Sequence, residues 1–174
     1  MPFIELETLI AAPIERVFDL ARSIDAHVAS TKGSNESAVA GRTSGLIELD
    51  ESVTWEATHF WVKQRLSVRI TQFGRPHFFE DEMVRGAFSF MVHRHTFEES
   101  LGGTLMKDEF RYSAPFGVLG RLAETFFLTR YMTAFLAGRA AELKAIAESD
   151  EWRRYLGNAG DQGEALKPGR SVSQ

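Results

Sequence analysis

Apolar and polar residues alternate along most of the chain, which is the pattern of half-buried β-strands. In Phe3–Ile10, for example, Ile4 and Leu6 alternate with Glu5 and Glu7. The same alternation predicts strands over Ser52–Trp61, Val62–Phe73, His77–Arg85, Phe88–Glu98 and Thr104–Ser113, and a short strand near Ser37–Gly41. Glycine-containing turns separate several of these strands, so the pattern predicts an antiparallel sheet joined by hairpins.

Helical spacing replaces this alternation in two places. After the first strand, Pro13 suits the first position of a helix, and the apolar residues that follow predict a helix over Pro13–Arg22. A second short helix is predicted over Ile24–Ala29. Near the C-terminus, helical spacing runs over Leu119–Ala147, and such a helix of about 28 residues is roughly 42 Å long. A helix of that length lies across a whole sheet.

This order of elements predicts an α+β fold, in which helices cover one face of an antiparallel sheet. One long helix against a concave sheet leaves space between them, so we expect a cavity there. We predict one domain over residues 1–148 and a polar, glycine-rich tail over residues 149–174.

Composition excludes several classes of function. The 174 residues carry a net charge of −4, which gives no basic footprint for nucleic acid. The chain has no cysteine, which excludes disulfides, thiolate metal sites and thiol nucleophiles. No apolar run approaches the roughly 18 residues that span a bilayer, and the acidic start lacks the basic region of a secretory signal. We therefore expect a cytoplasmic protein without a transmembrane segment.

Two histidines and two aspartates are predicted to meet on the concave face of the sheet. In the last two predicted strands, one face is mostly charged, so the other faces inward. The short turn between these strands aligns His95 with Asp108 and His93 with Phe110. A tight turn before His93 likewise brings Asp81 beside it. The four polar residues then share one apolar-walled surface.

Several uses of such a cluster are open. A His–Asp contact raises the pKa of the histidine and fixes its tautomer, as a general acid or base requires. Two histidines and a carboxylate also suit a metal, but the spacing matches no recognised zinc motif, so we expect neither metal nor cofactor. The rings can equally have a structural role, and a shift of one residue in register would place them in solvent.

The candidate ligand contacts are the residues predicted to face inward, together with aromatic residues of the long helix. They are Trp55, His59, Gln64, Phe79, Asp81, Met83, Met91, His93, His95, Met106, Asp108, Phe110, Tyr112, Phe127 and Tyr131. Asp81, His93, His95 and Asp108 are also the candidate catalytic residues. We expect Trp61 to form core or cavity wall with Trp55, and we expect Arg121, Arg130 and Arg139 to lie on a solvated side of the long helix.

Seven short strings of sequence carry a resemblance to a known family. They are Ser23–His27, Ala40–Ile47, Val53–Ala57, Asp81–Phe88, His93–His95, Gly102–Met106 and Phe127–Met132. In these strings the chain resembles a bacterial branch, labelled cyclase/dehydrase-like, of the SRPBCC superfamily, which groups START domains, pollen-allergen-like proteins and polyketide cyclases. The resemblance covers about residues 3–147. The chain departs from the branch at Ser89–Val92: the branch tends to have basic residues and an aromatic there, and this chain has a more apolar string.

The resemblance implies a helix-grip fold, a curved seven-stranded antiparallel sheet around a long C-terminal helix, with two short helices after the first strand. It also implies a deep cavity for a hydrophobic or amphipathic small molecule such as a lipid, a quinone or a polyketide. No catalytic motif of the branch can be carried over to particular residues.

The sequence thus leaves three functional hypotheses. The first is a binding module for such a molecule, with the His–Asp cluster orienting its polar end. The second is an enzyme of the cyclase or dehydratase type that uses a His–Asp pair as acid and base. The third is an interaction module that supports a partner enzyme and fills the cavity with its own phenylalanines. Whether the protein is an enzyme, and whether it forms a homodimer, stay open.

Overall fold

Seven strands form one antiparallel sheet in the computed structural model, which describes residues 2–31, 35–59, 62–115 and 127–157. The strands are β1 (Phe3–Ile10), β2 (Ser37–Gly41), β3 (Ser52–His59), β4 (Val62–Gly74), β5 (Phe78–Arg85), β6 (Phe90–Ser100) and β7 (Gly103–Ser113). Their order across the sheet is β1-β7-β6-β5-β4-β3-β2, so consecutive strands are neighbours except that β1 pairs with β7. The predicted seven-stranded antiparallel sheet is confirmed.

Two short helices follow β1, as the sequence predicts. They are α1 (Ile14–Ala21) and α2 (Ile24–Ser30). Pro13 precedes α1, and Ser23 caps α2, because its hydroxyl accepts a hydrogen bond from the backbone N–H of Ala26 at 3.2 Å. Proline and serine at these positions are the local reason that both helices begin where they do.

The long helix α3 covers Thr129–Glu148. Leu136, Ala140 and Leu143 recur on one face at helical spacing and are buried. The first part of the predicted helix, residues 119–126, lies outside the described residues. No helix in the described part of the chain is long and apolar enough to span a bilayer.

The packed part of the chain extends past the boundary predicted at residue 148. A short 3-10 helix (Asp150–Trp152) and a last turn of helix, α4 (Arg153–Leu156), follow α3. Trp152 is only 2% exposed, and the guanidinium of Arg16 lies 4.4 Å from the centre of its ring. Burial of this large side chain holds the segment on the domain, so the predicted tail begins too early. The rest of that tail, residues 158–174, lies outside the described residues.

A buried carboxylate holds α1 against the turn between β4 and β5. Asp19 accepts hydrogen bonds from Arg22 at 2.8 Å and from Arg75 at 2.8 Å and 3.3 Å. Arg22 also donates to Glu48 at 2.6 Å. Burial acts to raise the pKa of Asp19, but the hydrogen bonds from the two guanidinium groups outweigh it, so the pKa lies below its ordinary value of 3.8.

We expect Asp19→Asn to destabilise the protein by about 2 kcal/mol at neutral pH, where the wild-type carboxylate is charged. A folded-state pKa that is depressed gives stability above the ordinary pKa of 3.8, and that stability is lost as the pH falls through the lower folded value. The difference between wild type and variant should therefore shrink below about pH 4. Urea unfolding of both proteins across this range measures it, and a difference that does not depend on pH would contradict the assignment.

Candidate functional site

The register of three adjacent strands brings the predicted polar residues together. His95 pairs with Asp108 and His93 with Phe110 across β6 and β7, as predicted. Asp81 pairs with His93 across β5 and β6, also as predicted, although the connection spans residues 86–89 rather than a tight turn. Alternate residues of β6 and β7 are buried, which places both histidines on the inner face.

A cavity of about 410 Å³ lies between this inner face and the helices. The sheet lines it with apolar residues that include Val53, Val68 and Met91, and α3 contributes Met132 and Leu136. Asp81, His93 and His95 form a polar part of the same wall. The described residues therefore enclose a largely apolar space that has a charged cluster at one place.

Asp108 is the centre of this cluster. Its Oδ1 lies 3.2 Å from His93 Nε2 and 2.6 Å from His95 Nδ1. The other ring nitrogen of His95, Nε2, lies 3.8 Å from Oδ1 of Asp81. The rings of His93 and His95 are 4.0 Å apart between centres, and the ring of Phe79 is 4.4 Å from that of His95. The imidazole of His95 thus lies between the carboxylates of Asp108 and Asp81, and the ring of Phe79 packs against it.

The two histidines have pKa values shifted in opposite directions. Burial and the neighbouring His95 lower the pKa of His93 to about 4, despite its contact with Asp108. Burial acts to lower the pKa of His95 as well, but the charge of Asp108 outweighs it and raises that pKa above 6.5. Burial acts to raise the pKa of Asp108, and the two imidazoles hold it far below its ordinary value. Burial acts to raise the pKa of Asp81 too, but its contacts with His95 and His93 outweigh this and lower it. Both carboxylates are therefore charged and His93 is neutral at neutral pH.

The tautomer of His93 follows from these charges. An ionised carboxylate can only accept hydrogen bonds, so Nε2 of the neutral ring carries the proton that faces Asp108. Nδ1 then has a free lone pair. The cluster as a whole can orient the polar end of a ligand, exchange a proton with it, or coordinate a cation.

Six polar residues outside the predicted contacts also line the cavity: Arg22, Ser23, His27, Glu36, Arg65 and Arg139. His27 stacks on Trp55 with ring centres 4.0 Å apart, and its Nε2 lies 3.3 Å from Glu36 Oε2. Burial and the charge of Arg139 lower the pKa of His27. This second group gives the ligand space further hydrogen-bonding partners from α2 and from the residue that precedes β2.

The predicted solvated position of Arg139 is wrong, because its side chain lines the cavity. Spacing on the helix could have shown this, since Arg139 lies three residues after Leu136 and four before Leu143 and so shares their face. His27 gave no comparable signal, because α2 has only seven residues. Arg130 is exposed as predicted, and Arg121 lies outside the described residues.

The structure places most of the candidate contacts around the cavity, and some of them elsewhere. Those that line it are Trp55, Gln64, Phe79, Asp81, Met91, His93, His95, Phe110 and Tyr131. Five candidate contacts do not line the cavity: Met83, Met106, Asp108, Tyr112 and Phe127.

Packing and the course of the chain explain these exceptions. Met106 and Asp108 line a smaller space that shares His95 with the cavity. Tyr112 is buried, and its hydroxyl lies 2.9 Å from Thr129 Oγ1. Met83 packs against the edge of the core, and Phe127 is 58% exposed. The side chain of His59 and all of Trp61 lie outside the described residues.

Comparison with solved structures decides the fold. TTHA0849 from Thermus thermophilus is 18% identical, with a TM-score of 0.66 over 84% of this chain and 99% of that one. Ginseng major latex-like protein 151 from Panax ginseng is 12% identical, with a TM-score of 0.63 over 84% of this chain and 97% of that one. Ara h 8.0201 is 11% identical, with a TM-score of 0.55 over 83% of this chain and 98% of that one.

This protein has the helix-grip fold. The ginseng protein and Ara h 8.0201 are Bet v 1-like members of the SRPBCC superfamily, so the structure agrees with the resemblance seen in the sequence at the level of the fold. No family model matches the chain, and no curated protein matches it. The bacterial cyclase/dehydrase-like branch therefore stays a prediction.

Proposed function

We propose that this helix-grip protein binds a small hydrophobic or amphipathic molecule in the cavity between the sheet and α3. The observation that carries the proposal is the cavity of about 410 Å³, with largely apolar walls that include the polar cluster of Asp81, His93 and His95. Its volume falls in the range of about 300–1,000 Å³ that is usual for small-molecule sites. The apolar body of the ligand lies against the sheet and α3, and its polar end faces Asp81, His93 and His95.

The walls set the chemical class of this ligand. Burial of about 200 Å² of apolar ligand surface contributes about 5 kcal/mol before the entropy cost of binding. The cluster offers the carboxylate of Asp81 and Nδ1 of His93 as acceptors and the ring of His95 as a donor, which suits a hydroxyl or carbonyl group. A lipid, a quinone and a polyketide-like molecule all combine an apolar body with such a group.

The cavity weighs against the hypothesis of an interaction module with a filled core. That hypothesis requires the phenylalanines of the chain to occupy the space. Among the described residues, Phe18 and Phe97 are instead packed among other rings in the core, and Phe79 and Phe110 form the wall of the cavity. The cyclase or dehydratase hypothesis uses the same cavity and adds a reaction to the binding step.

A cavity-filling variant tests the binding proposal. Leu136→Trp places an indole in the space that the ligand occupies, and we expect it to weaken binding of a fluorescent apolar probe, anilinonaphthalene sulfonate, by at least about tenfold. The titration uses delipidated protein, and native mass spectrometry of freshly purified protein identifies any bound molecule. Leu101→Trp makes the same substitution at a hairpin position that is 99% exposed, and we expect it to leave binding unchanged.

Overpacking costs typically about 1–3 kcal/mol, so circular dichroism must show that Leu136→Trp is folded. Met132→Trp, at a half-buried cavity position on the same helix, provides a second cavity-filling variant. The proposal fails if wild-type protein does not bind the probe saturably. It also fails if folded Leu136→Trp and Met132→Trp bind the probe as tightly as Leu101→Trp does.

A further inference from the structure

We infer that Asp81, His93 and His95 form a binding site for a divalent transition-metal ion. Each residue offers one ligand atom, and the three atoms lie within 4.8 Å of one another. Both histidines are buried and Asp81 is half-buried, so the packing of the sheet fixes the positions of the three candidate metal ligands. This inference departs from the sequence expectation of no metal, which depended on the absence of a known zinc spacing.

Strand pairing explains why this site matches no known metal-binding sequence motif. A helical zinc motif places its histidines four residues apart on one face, whereas a strand places residues two apart on one face. His93 and His95 are two apart on β6, and Asp81 stands opposite His93 on β5. The third donor therefore comes from a neighbouring strand, at a position that depends on the register.

Asp108 orients the two histidines as a carboxylate behind the ligands does in many metal sites. Histidines that bind a metal through one ring nitrogen usually donate the other N–H to a carboxylate or carbonyl. Asp108 Oδ1 stands 2.6 Å from Nδ1 of His95 and 3.2 Å from Nε2 of His93. Its contacts direct His95 Nε2 toward Asp81 and leave Nδ1 of His93 as the free donor of that ring.

The charges around the cluster suit a cation. Asp81 and Asp108 contribute two negative charges at a buried place, which face Arg139 of α3 and the ring of His95, whose pKa they raise. An ion that binds His95 displaces the proton of that ring. Two imidazole nitrogens and one carboxylate oxygen favour zinc, iron, cobalt or nickel over calcium and magnesium, which prefer oxygen donors. Donors bound at about 2.1 Å to one tetrahedral ion lie about 3.4 Å apart, so small side-chain rotations close the site.

The bound ion would face the ligand space. Asp81, His93 and His95 all line the cavity, so coordination positions not taken by these three donors point into it. An ion held by three protein ligands with an open position is the arrangement of catalytic rather than structural zinc sites. A metal site is a function in addition to the binding of an apolar molecule. Its test uses metal ions alone, so a failure to bind metal leaves the ligand proposal intact.

Metal titration of the full chain tests this inference. The protein is treated with a chelator, dialysed, and titrated with Zn²⁺ by calorimetry and with Co²⁺ by visible absorption. We expect one equivalent to bind, with Co²⁺ bands of a site containing nitrogen donors. His93→Ala, His95→Ala and Asp81→Asn should each weaken binding by at least about 100-fold, and Asp108→Asn by about 10–100-fold.

His77→Ala is the matched control, because His77 is an exposed histidine in the turn before β5. We expect it to bind Zn²⁺ like wild type. The inference is overturned if wild type binds no single saturable equivalent, or if the cluster variants bind as tightly as His77→Ala. If the histidine variants do not fold, Asp81→Asn decides, because this substitution is nearly isosteric at a half-buried position.

Discussion

Asp108→Ala is expected to lower the free energy of unfolding by about 3–5 kcal/mol at neutral pH, as is typical when one partner of a buried ion pair is removed. Asp108 is 6% exposed and contacts a ring nitrogen of both His93 and His95. Without it, His95 has only Asp81, at 3.8 Å, as a counter-ion. The buried imidazoles then lose the group that compensates for their removal from water.

Urea unfolding followed by circular dichroism measures this loss. Glu98→Ala is the control, because Glu98 is an exposed acidic residue on the neighbouring strand β6, and we expect a change within about 0.5 kcal/mol. A loss below about 1 kcal/mol for Asp108→Ala would show that the cluster tolerates removal of its central carboxylate. In that case Asp108 would not be the group that holds the two rings in place.

Phe18→Ala is expected to destabilise the protein by about 3–5 kcal/mol. Phe18 of α1 is 0% exposed, and its ring makes edge-to-face contacts with Phe73, Phe79 and Phe97 at centre distances of 5.4–5.7 Å. The substitution removes the transfer free energy of the ring and leaves a cavity that three aromatic side chains cannot easily fill. Edge-to-face pairs add about 0.5–1.5 kcal/mol each beyond their buried area.

Phe90→Ala provides the comparison for this second prediction. Phe90 is 39% exposed at the start of β6, so its truncation removes less buried surface and should cost about 1 kcal/mol or less. Thermal and urea unfolding of both variants measure the difference. Equal losses for the two substitutions would contradict the view that Phe18 anchors α1 on the sheet. Because Phe79 also lines the ligand cavity, Phe18→Ala should weaken probe binding as well.

The alternation of side chains made the sheet and much of the cluster predictable. A strand places successive residues on opposite faces, so the charged set of β7 identified the inner set that contains Asp108 and Phe110. The hairpin at Ser100–Gly103 then aligned β6 with β7 residue by residue. Turn geometry and the two-residue period both depend on residues that are close in sequence, which is why His95 could be placed opposite Asp108.

Contacts between distant segments were not predictable in this way. Arg139 was predicted to face solvent because arginine is usually exposed, whereas the cavity is deep enough for its side chain to line the wall. Trp152 was assigned to a tail because its neighbours are polar, whereas α1 offers a surface that buries it. Each error arose where an average tendency of a residue type was overridden by a particular neighbour far away in the chain.

Period, turns and nearest neighbours in the sequence were enough to predict the strands, the two short helices and the register of β6 with β7, but they left open whether the His–Asp cluster faces the cavity. The tertiary structure alone decided the size of the cavity, the entry of His27, Glu36 and Arg139 into its wall, and the distances that make Asp108 the centre of the cluster. Those features depend on how far α3 stands from the sheet, and that spacing is set by the packing of the whole core.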